Sequence, residues 1–443
     1  MNLNGRTEYL DIQPSNIVST GLVSYVSGNP VIQFIIGEAD RYLIGNSLRF
    51  AGNINIYSDS AKSRPADGAD LFISPKLGML GIVDQIVLSS QKSKNVIEHI
   101  RHFPRWAGQY YANIASEQEA IGHLCESSLA IPNNLTQHNS VVASKNGAVG
   151  TNLRYNGNSF AIPLPTGLLN SKQPIGLSGN GWGIGGLVVE IHLSPDSNFL
   201  ITDTLTTAFY ELSNLKLICE TIVPSVDELS QLMRKTENVM EYNAISSYYT
   251  SINSTNAIIN FNLGLSKVLS VYMNFIPSSF INNLKQDGFQ CLPLINNLST
   301  SEVAPIKQLV FTRGGLKLPL EYNLDANVRE DPTLKCADPV IFRNFASAFM
   351  PFMSNKRSQI NPNTNVRVID SENNYTDYGQ GGQFFGIGVS YDQLSGDGEN
   401  FSNQNFGVAM DTGLTENNPH GVFLYVRSRQ TLVMNQNGLQ VLI

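Results

Sequence analysis

Gly185-Gly-Leu-Val-Val-Glu-Ile-His-Leu-Ser-Pro-Asp196, followed after a polar gap by Tyr210-Glu-Leu-Ser-Asn-Leu-Lys-Leu-Ile-Cys-Glu220, is the text on which the fold turns. Leu187, Val189, Ile191 and Leu193 recur with period two, as do Leu215, Leu217 and Cys219. Successive side chains of a strand point to opposite faces, so this period predicts half-buried strands rather than helices. The C-terminal end repeats the pattern with Gly421-Val-Phe-Leu-Tyr-Val-Arg427 and Thr431-Leu-Val-Met434. A hairpin turn is predicted at Asn437-Gly438, with Leu439, Val441 and Ile443 alternating after it. Two β-rich halves, each closing on a strand pair, point to a duplicated β-sandwich.

Composition bounds the rest. A chain of 443 residues exceeds one ordinary core and fits two domains. Apolar residues make up 42%, enough for packed interiors, while charged residues reach only 15%. Asn, Ser, Thr and Gln cover the surface instead, as in loop-rich β proteins and in chains whose sides are covered by neighbours. The net charge is −7 and the first twenty residues hold Arg6 against Glu8 and Asp11, so no basic nucleic-acid-binding arm is expected. The longest apolar run, Val31-Ile-Gln-Phe-Ile-Ile36, is strand-sized, and neither a transmembrane segment nor a signal sequence is expected. Synthesis and folding in a cytosol are expected. Cys125, Cys219, Cys291 and Cys336 are far apart and read as buried free thiols.

Strands are predicted at Thr20–Val26, Leu48–Tyr57, Met79–Ser89, Ser159–Leu164, Leu187–Leu193 and Phe209–Thr221, with turn signals between them. From Ser93 to about Cys125 the apolar residues Val96, Ile97, Ile100 and Phe103 take helical spacing; Pro104 breaks it and Tyr110 to Leu124 resumes it. Ser225 and Glu228 form a capping box ahead of Val226, Leu229, Leu232 and Met233, which predicts a linker helix. The second half is predicted to hold strands at Ala257–Leu263, Val268–Phe275, Lys307–Arg313, Leu316–Tyr322, Phe384–Tyr391 and Gly407–Asp411. A hairpin at Gly314-Gly315 and a helical piece near Pro339–Phe349 complete it. The expected division is an N-terminal jelly roll over 1–224, the linker helix over 225–245 and a C-terminal jelly roll over 246–443. Many short strands with Gly and Asn turns imply a sandwich or barrel, and the eight-stranded jelly roll is the sandwich typical of such domains. The fold class read from them is all-β, two tandem eight-stranded jelly-roll sandwiches with short helices in the connections. Long loops at Ser58–Leu71, Ser127–Asn158 and Asn323–Pro339 are expected to be towers or interlocking arms.

Motifs that could bear chemistry each admit a plainer reading. Gly181-x-Gly183-x-x-Gly186 has the letters of a dinucleotide fingerprint, but a strand follows it where the chemistry needs a helix. His99 and His102 would share a helix face at i, i+3, without a third metal ligand in view; His123, His138, His192 and His420 are scattered. Glu190 and His192 beside Lys216 and Glu220 would resemble an acid–base cluster or a cross-strand charge pairing. Arg101-His-Phe-Pro-Arg-Trp106 mixes cations with aromatics and is read as structural or intersubunit. The stretch Asp392 to Glu399 offers oxygen ligands for calcium or is a solvated loop. The Asn-x-Ser/Thr matches are read as chance. No catalytic, cofactor-binding or metal residue is assigned.

Phe160-Ala-Ile-Pro-Leu-Pro165, Gly185–Asp196 with Tyr210–Glu220, Asn260-Phe-Asn-Leu-Gly-Leu-Ser266 and Arg313-Gly-Gly-Leu-Lys-Leu-Pro-Leu320 carry a family likeness. Phe385-Gly-Ile-Gly-Val-Ser-Tyr-Asp392, Phe401-Ser-Asn-Gln-Asn-Phe-Gly407 and Gly438-Leu-Gln-Val441 extend it. From about Ser19 to the end the chain resembles the double jelly-roll major capsid proteins of tailless icosahedral DNA viruses. The likeness is to those of virophages and Polinton-like viruses, in the adenovirus-like lineage. The resemblance implies a coat protein without catalytic residues or cofactors. It implies a homotrimer presenting six jelly rolls as a pseudo-hexagonal capsomer, which meets neighbouring capsomers and minor capsid or penton proteins in a virion shell. No sequence-specific nucleic-acid binding is expected. The alternative is a two-domain carbohydrate-binding protein or adhesin, with exposed aromatics such as Trp182, Tyr248 and Tyr249 stacking on sugars.

Overall fold

The computed structural model describes residues 5–17, 21–25, 30–63, 71–74, 77–114, 159–202, 205–289, 291, 294–297, 302–303, 308–318, 324–325, 368–369, 375–376, 386–392, 397–414 and 418–443. These fall into two compact units, one drawn from 5–107, 159–246 and 429–443, the other from 108–114 and 247–428.

The first unit is built on β1 (Gly5–Ile12), β2 (Val31–Ile36), β3 (Tyr42–Tyr57), β4 (Val83–Ser90), β5 (Val96–Arg101), β6 (Ser159–Pro163), β7 (Leu187–Leu193) and β8 (Phe209–Pro224). They form two antiparallel sheets in the orders β1-β8-β3-β6 and β2-β7-β4-β5. The second set is β9 (Glu237–Ile252), β10 (Asn256–Phe261), β11 (Val268–Pro277), β12 (Gln308–Arg313), β13 (Leu316–Lys317), β14 (Ile387–Ser390), β15 (Phe406–Asp411) and β16 (His420–Asn435). Its sheets run β9-β16-β11-β14 and β10-β15-β12-β13. Subtracting eight from each label returns the first pair of sheets, so the chain traces one path twice. Eight strands in two sheets by this path are a jelly roll. A last strand, β17 (Gly438–Leu442), folds back on β16.

Alternation builds the cores. In β7, Leu187, Val189, Ile191 and Leu193 are buried while Glu190 and His192 are only partly so. Leu215, Leu217 and Cys219 of β8 are buried as well. Phe34 of one sheet meets Phe50 of the other edge-on at 5.9 Å, and Phe50 meets Phe160 at 5.4 Å. In the second unit Val271 and Met273 of β11, Val422, Leu424 and Val426 of β16, and Phe311, Phe406 and Val408 join one core drawn from both sheets. Each such side chain contributes about 1.5–3 kcal/mol on burial. The central strands β11 and β16 are also buried on their outer face, where Tyr272 stacks on Tyr425 at 5.4 Å and Arg427 pairs with Asp392 at 2.6 Å.

Several elements depart from expectation. Val96–Arg101 is strand, not helix. Leu88 faces Glu98 but Ser89 faces Val96, so Ile97 is an extra, bulged residue. The bulge shifts the alternation by one, placing the buried Ile97 and Ile100 three apart, which imitates a helical period. Helix α1 (Phe103–Ile114) starts at Phe103, so Pro104 sits in its first turn, where its missing N–H costs nothing. Residues after 114 in the expected helical region, Pro339–Phe349 and much of the three long loops lie outside the described residues. Met79–Ser89 divides into a 3-10 turn over Gly78–Ile82, all buried, and β4. Of Thr20–Val26 the described part contributes a single bridge, Val23 to Leu212.

After a short helix α2 (Asp196–Phe199), helix α3 (Val226–Leu232) carries the expected cap: Ser225 Oγ accepts from the Glu228 N–H at 3.4 Å. The helix stops there, and 237–245 of the expected linker helix belongs to β9, where Met240, Tyr242 and Ala244 alternate inward. Leu232 and Leu229 pack with Tyr42, Trp182 and Ile222, whereas Val226 and Met233 face solvent. The final hairpin pairs Asn435 with Gly438, so its loop is Gln436-Asn437, one residue earlier than expected.

Glu98 is the polar centre of the first unit. Its Oε1 accepts from the N–H groups of Gly167 and Ile245 at 2.9 and 2.8 Å, and its Oε2 from that of Leu168 at 2.9 Å. Gly167 packs so closely that a Cβ there would lie 2.0 Å from the Asn243 carbonyl oxygen. Burial pushes the Glu98 carboxyl upward in pKa, and these hydrogen bonds with that of Thr166 oppose the shift. Glu98→Gln turns an NH2 group toward one of these donors. Denaturant titration is expected to find it less stable by about 1–3 kcal/mol.

Candidate assembly surfaces

The residues that could bear chemistry are not brought together. His99 lies in β5 and His102 beyond its end at φ 52°, so they share no helix face. Burial lowers the pKa of both, that of His102 to about 4, and His99 Nε2 is 3.1 Å from Gln85 Oε1. His420 is buried with Nδ1 2.7 Å from the Asn418 carbonyl; His123 and His138 lie outside the described residues. Among the described residues no three His, Cys, Asp or Glu side chains are placed to hold a metal.

Glu190 and His192 belong to a different sheet from Lys216 and Glu220. Gln33 Nε2 donates to Glu190 at 2.9 Å, and Lys216 pairs with Asp11 at 2.8 Å. The glycines of the 181–186 loop admit close packing: a Cβ on Gly183 would sit 2.6 Å from the Ser178 backbone. Arg105 and Trp106 are buried, and the indole N–H of Trp106 donates to the Pro165 carbonyl. Asp392 and Glu399 are engaged by Arg427 and Arg313 at 2.6 and 2.5 Å, while 393–396 between them lie outside the described residues. Trp182, expected to be exposed in the carbohydrate-binding alternative, is fully buried against Tyr42. The Tyr248 hydroxyl donates to the Leu263 carbonyl at 3.0 Å, and Tyr249 leans on Phe423. Cys219 and Cys291 are buried free thiols, and burial pushes the Cys219 pKa up to about 11; Cys125 and Cys336 lie outside the described residues.

Several large apolar side chains reach the surface. Tyr9 on β1, Val96 on β5, Val239 and Tyr249 on β9, Ile258 on β10 and Leu316 on β13 are exposed large hydrophobics. All five strands are the outermost in their sheets. Edge strands usually carry charges that discourage pairing with another chain, and apolar side chains there mark contact surfaces. Ile258, 77% exposed in a strand whose other face is buried, is the plainest case. Apart from Tyr249, sequence reasoning missed these residues, because alternation tells inside from outside but not which strands end a sheet.

No family model matches the sequence, and a search of curated proteins finds no match. Solved structures do match over nearly the whole chain. The Faustovirus major capsid protein superposes with a TM-score of 0.61 at 9% identity, covering 98% of this chain and 91% of that one. A chain of the Sputnik virophage gives 0.57 at 12% identity, covering 100% and 90%. One from the PBCV-1 virus capsid gives 0.55 at 9% identity, covering 100% and 97%. The fold is therefore the double jelly roll seen in viral major capsid proteins.

Asp196 supplies a test of how the first unit is held. Its Oδ1 accepts from the Tyr210 N–H at 3.0 Å, and burial raises its pKa from 3.8 to about 6. The native state therefore holds this proton more tightly than the unfolded chain. Asp196's contribution to stability is full below pH 4 and is lost as pH rises toward about 6. Asp196→Asn keeps the acceptor and removes the proton. Urea midpoints are expected to show the variant gaining on the wild type between these pH values and holding that gain above them.

Proposed function

We propose that the protein is the major capsid protein of an icosahedral DNA virus and resides in the virion shell after synthesis in a host cytosol. Three copies form a pseudo-hexagonal capsomer that tiles the shell beside neighbouring capsomers and minor capsid or penton proteins. Its role is structural, without a catalytic site or cofactor, and without sequence-specific nucleic-acid binding. The observation that carries this reading is the strand path traced twice in one chain, shared in fold with viral capsid proteins along nearly its full length. Apolar residues on outermost strands support it, because lateral contacts between subunits need such surfaces. On this reading the first jelly roll extends through 224 and the strands of the second run from β9 onward.

Light scattering on the purified protein is expected to give three times the 48.6 kDa chain mass, with a hexagonal outline in images of the same fraction. A monomer stable across concentration and salt would refute the capsomer and favour a carbohydrate-binding role. Ile258→Asp, which places a charge on an exposed position, is expected to weaken the trimer while leaving the monomer's stability within about 1 kcal/mol of wild type.

A further inference from the structure

Gln436 and Asn437 form the loop that joins β16 to β17, and Gly438 after them adopts φ 132°. Residues with a side chain rarely take such a backbone conformation, so this turn requires glycine directly after asparagine. Asn437 is exposed. Its backbone N–H donates to Asn435 Oδ1 at 2.9 Å, while its side chain makes no hydrogen bond among the described residues. A hollow of about 280 Å³, bounded also by Ser93, Asn95, Asn435 and Gln440, opens beside it. No carboxylate lines that hollow. Around Gly438 the nearest atom that an added Cβ would meet is Ser93 Cβ, at 3.3 Å.

Another Asn-Gly pair of the first unit, Asn180-Gly181, lies against this turn and is held differently. A Cβ on Gly181 would sit 3.5 Å from the Gln436 nitrogen, and 3.1 and 3.4 Å from the carbonyl oxygens of Thr236 and Lys235. Gly181 is buried. The Asn180 N–H donates to Ser178 Oγ at 3.2 Å, and its Nδ2 lies 3.9 Å from Met233 Sδ. Joining the Asn180 side chain to the next backbone nitrogen has to move packed backbone. The same closure at Asn437 moves only a turn that faces solvent.

We infer that Asn437 is a site of deamidation, at which the turn's own glycine supplies the attacking nitrogen and water is the co-reactant. The Gly438 nitrogen gives its proton to hydroxide and bonds to Asn437 Cγ; the Cγ–Nδ2 bond breaks, and Nδ2 takes up a proton and leaves as ammonia. Water then opens the succinimide ring. Addition at Cγ gives aspartate, and addition at the backbone carbonyl gives isoaspartate, whose main chain runs through an extra carbon. Either product puts a carboxylate beside a hollow that has none. Isoaspartate also lengthens the loop that sets the register of β16 on β17. Leu439, the next residue along, is buried, and its carbonyl accepts from Asn95 Nδ2 on the β4–β5 turn. Shifting the register unseats both contacts, so the modification releases β17 from the first unit.

The test is incubation of the full-length folded protein in mildly alkaline buffer, followed by trypsin and mass analysis. Cleavage after Arg429 yields 430–443 as one peptide, in which the other asparagine, Asn435, precedes the bulkier Gln436. This peptide is expected to gain the mass of an amide turned acid, and to accept a methyl group from an isoaspartyl methyltransferase. Asn437→Gln, with an unchanged thermal midpoint, is expected to abolish both signals. Asn180 is expected to convert about tenfold more slowly, the effect of about 1.4 kcal/mol of added barrier, and to match Asn437 once urea unfolds the chain. In the converted fraction the amides of 439–442 are expected to exchange with solvent faster than in the unconverted protein. An Asn437 that converts in urea but not in the folded protein overturns the inference. So do equal rates at Asn180 and Asn437 in the folded state, which would leave the fold no part in selecting the site. Unchanged exchange at 439–442 after conversion overturns the release of β17.

Discussion

Long strands with one apolar face leave the chain few choices. β3, β8, β9 and β16 each run for 16 residues, and each needs a second sheet opposite its buried face. A sandwich of two sheets meets that need, and the order β1-β8-β3-β6 against β2-β7-β4-β5 does so with every strand pair antiparallel. The second unit solves the same problem by the same path. Contacts such as Phe34 on Phe50 then follow from the arrangement rather than cause it.

Polar groups fix what burial alone would leave loose. Glu98 gathers three backbone N–H groups from the 167–168 turn and from β9. Hydrophobic packing has no directional preference of this kind, so the carboxylate sets where the turn and the strand lie against β5. Tyr242 adds to it, its hydroxyl donating to the Ile97 carbonyl at 2.9 Å and lying 3.0 Å from the Gln430 side chain. Glutamate is seldom buried, and it is tolerated here because its acceptor capacity is used.

Much of this is legible in the residues. Period two finds β7, β8 and most of the second unit's strands, and the Ser225–Glu228 box finds α3. The reading fails where a local irregularity alters the period, as with the bulge at Ile97, and where an apolar run has no period, as at Gly78–Ile82. It also places Glu190 and His192 beside Lys216 and Glu220, because neighbours along a chain are not neighbours in a sheet when consecutive strands cross between layers. Burial of Trp182 is hidden for a related reason: its partners Tyr42 and Leu232 lie far away in sequence.

The pairing of β1 with β8 sets a timetable. Gly5 lies opposite Pro224, so β1 leaves the ribosome about two hundred residues ahead of β8 and waits for it before it gains that partner. In the second unit β9 waits in the same way for β16. Closing such long loops makes folding slow, and an unpaired strand is exposed to the wrong partner meanwhile. Arg6, Glu8 and Asp11 on β1 are then as useful to the nascent chain as to the finished one, since charges on a waiting strand discourage it from joining another copy too soon.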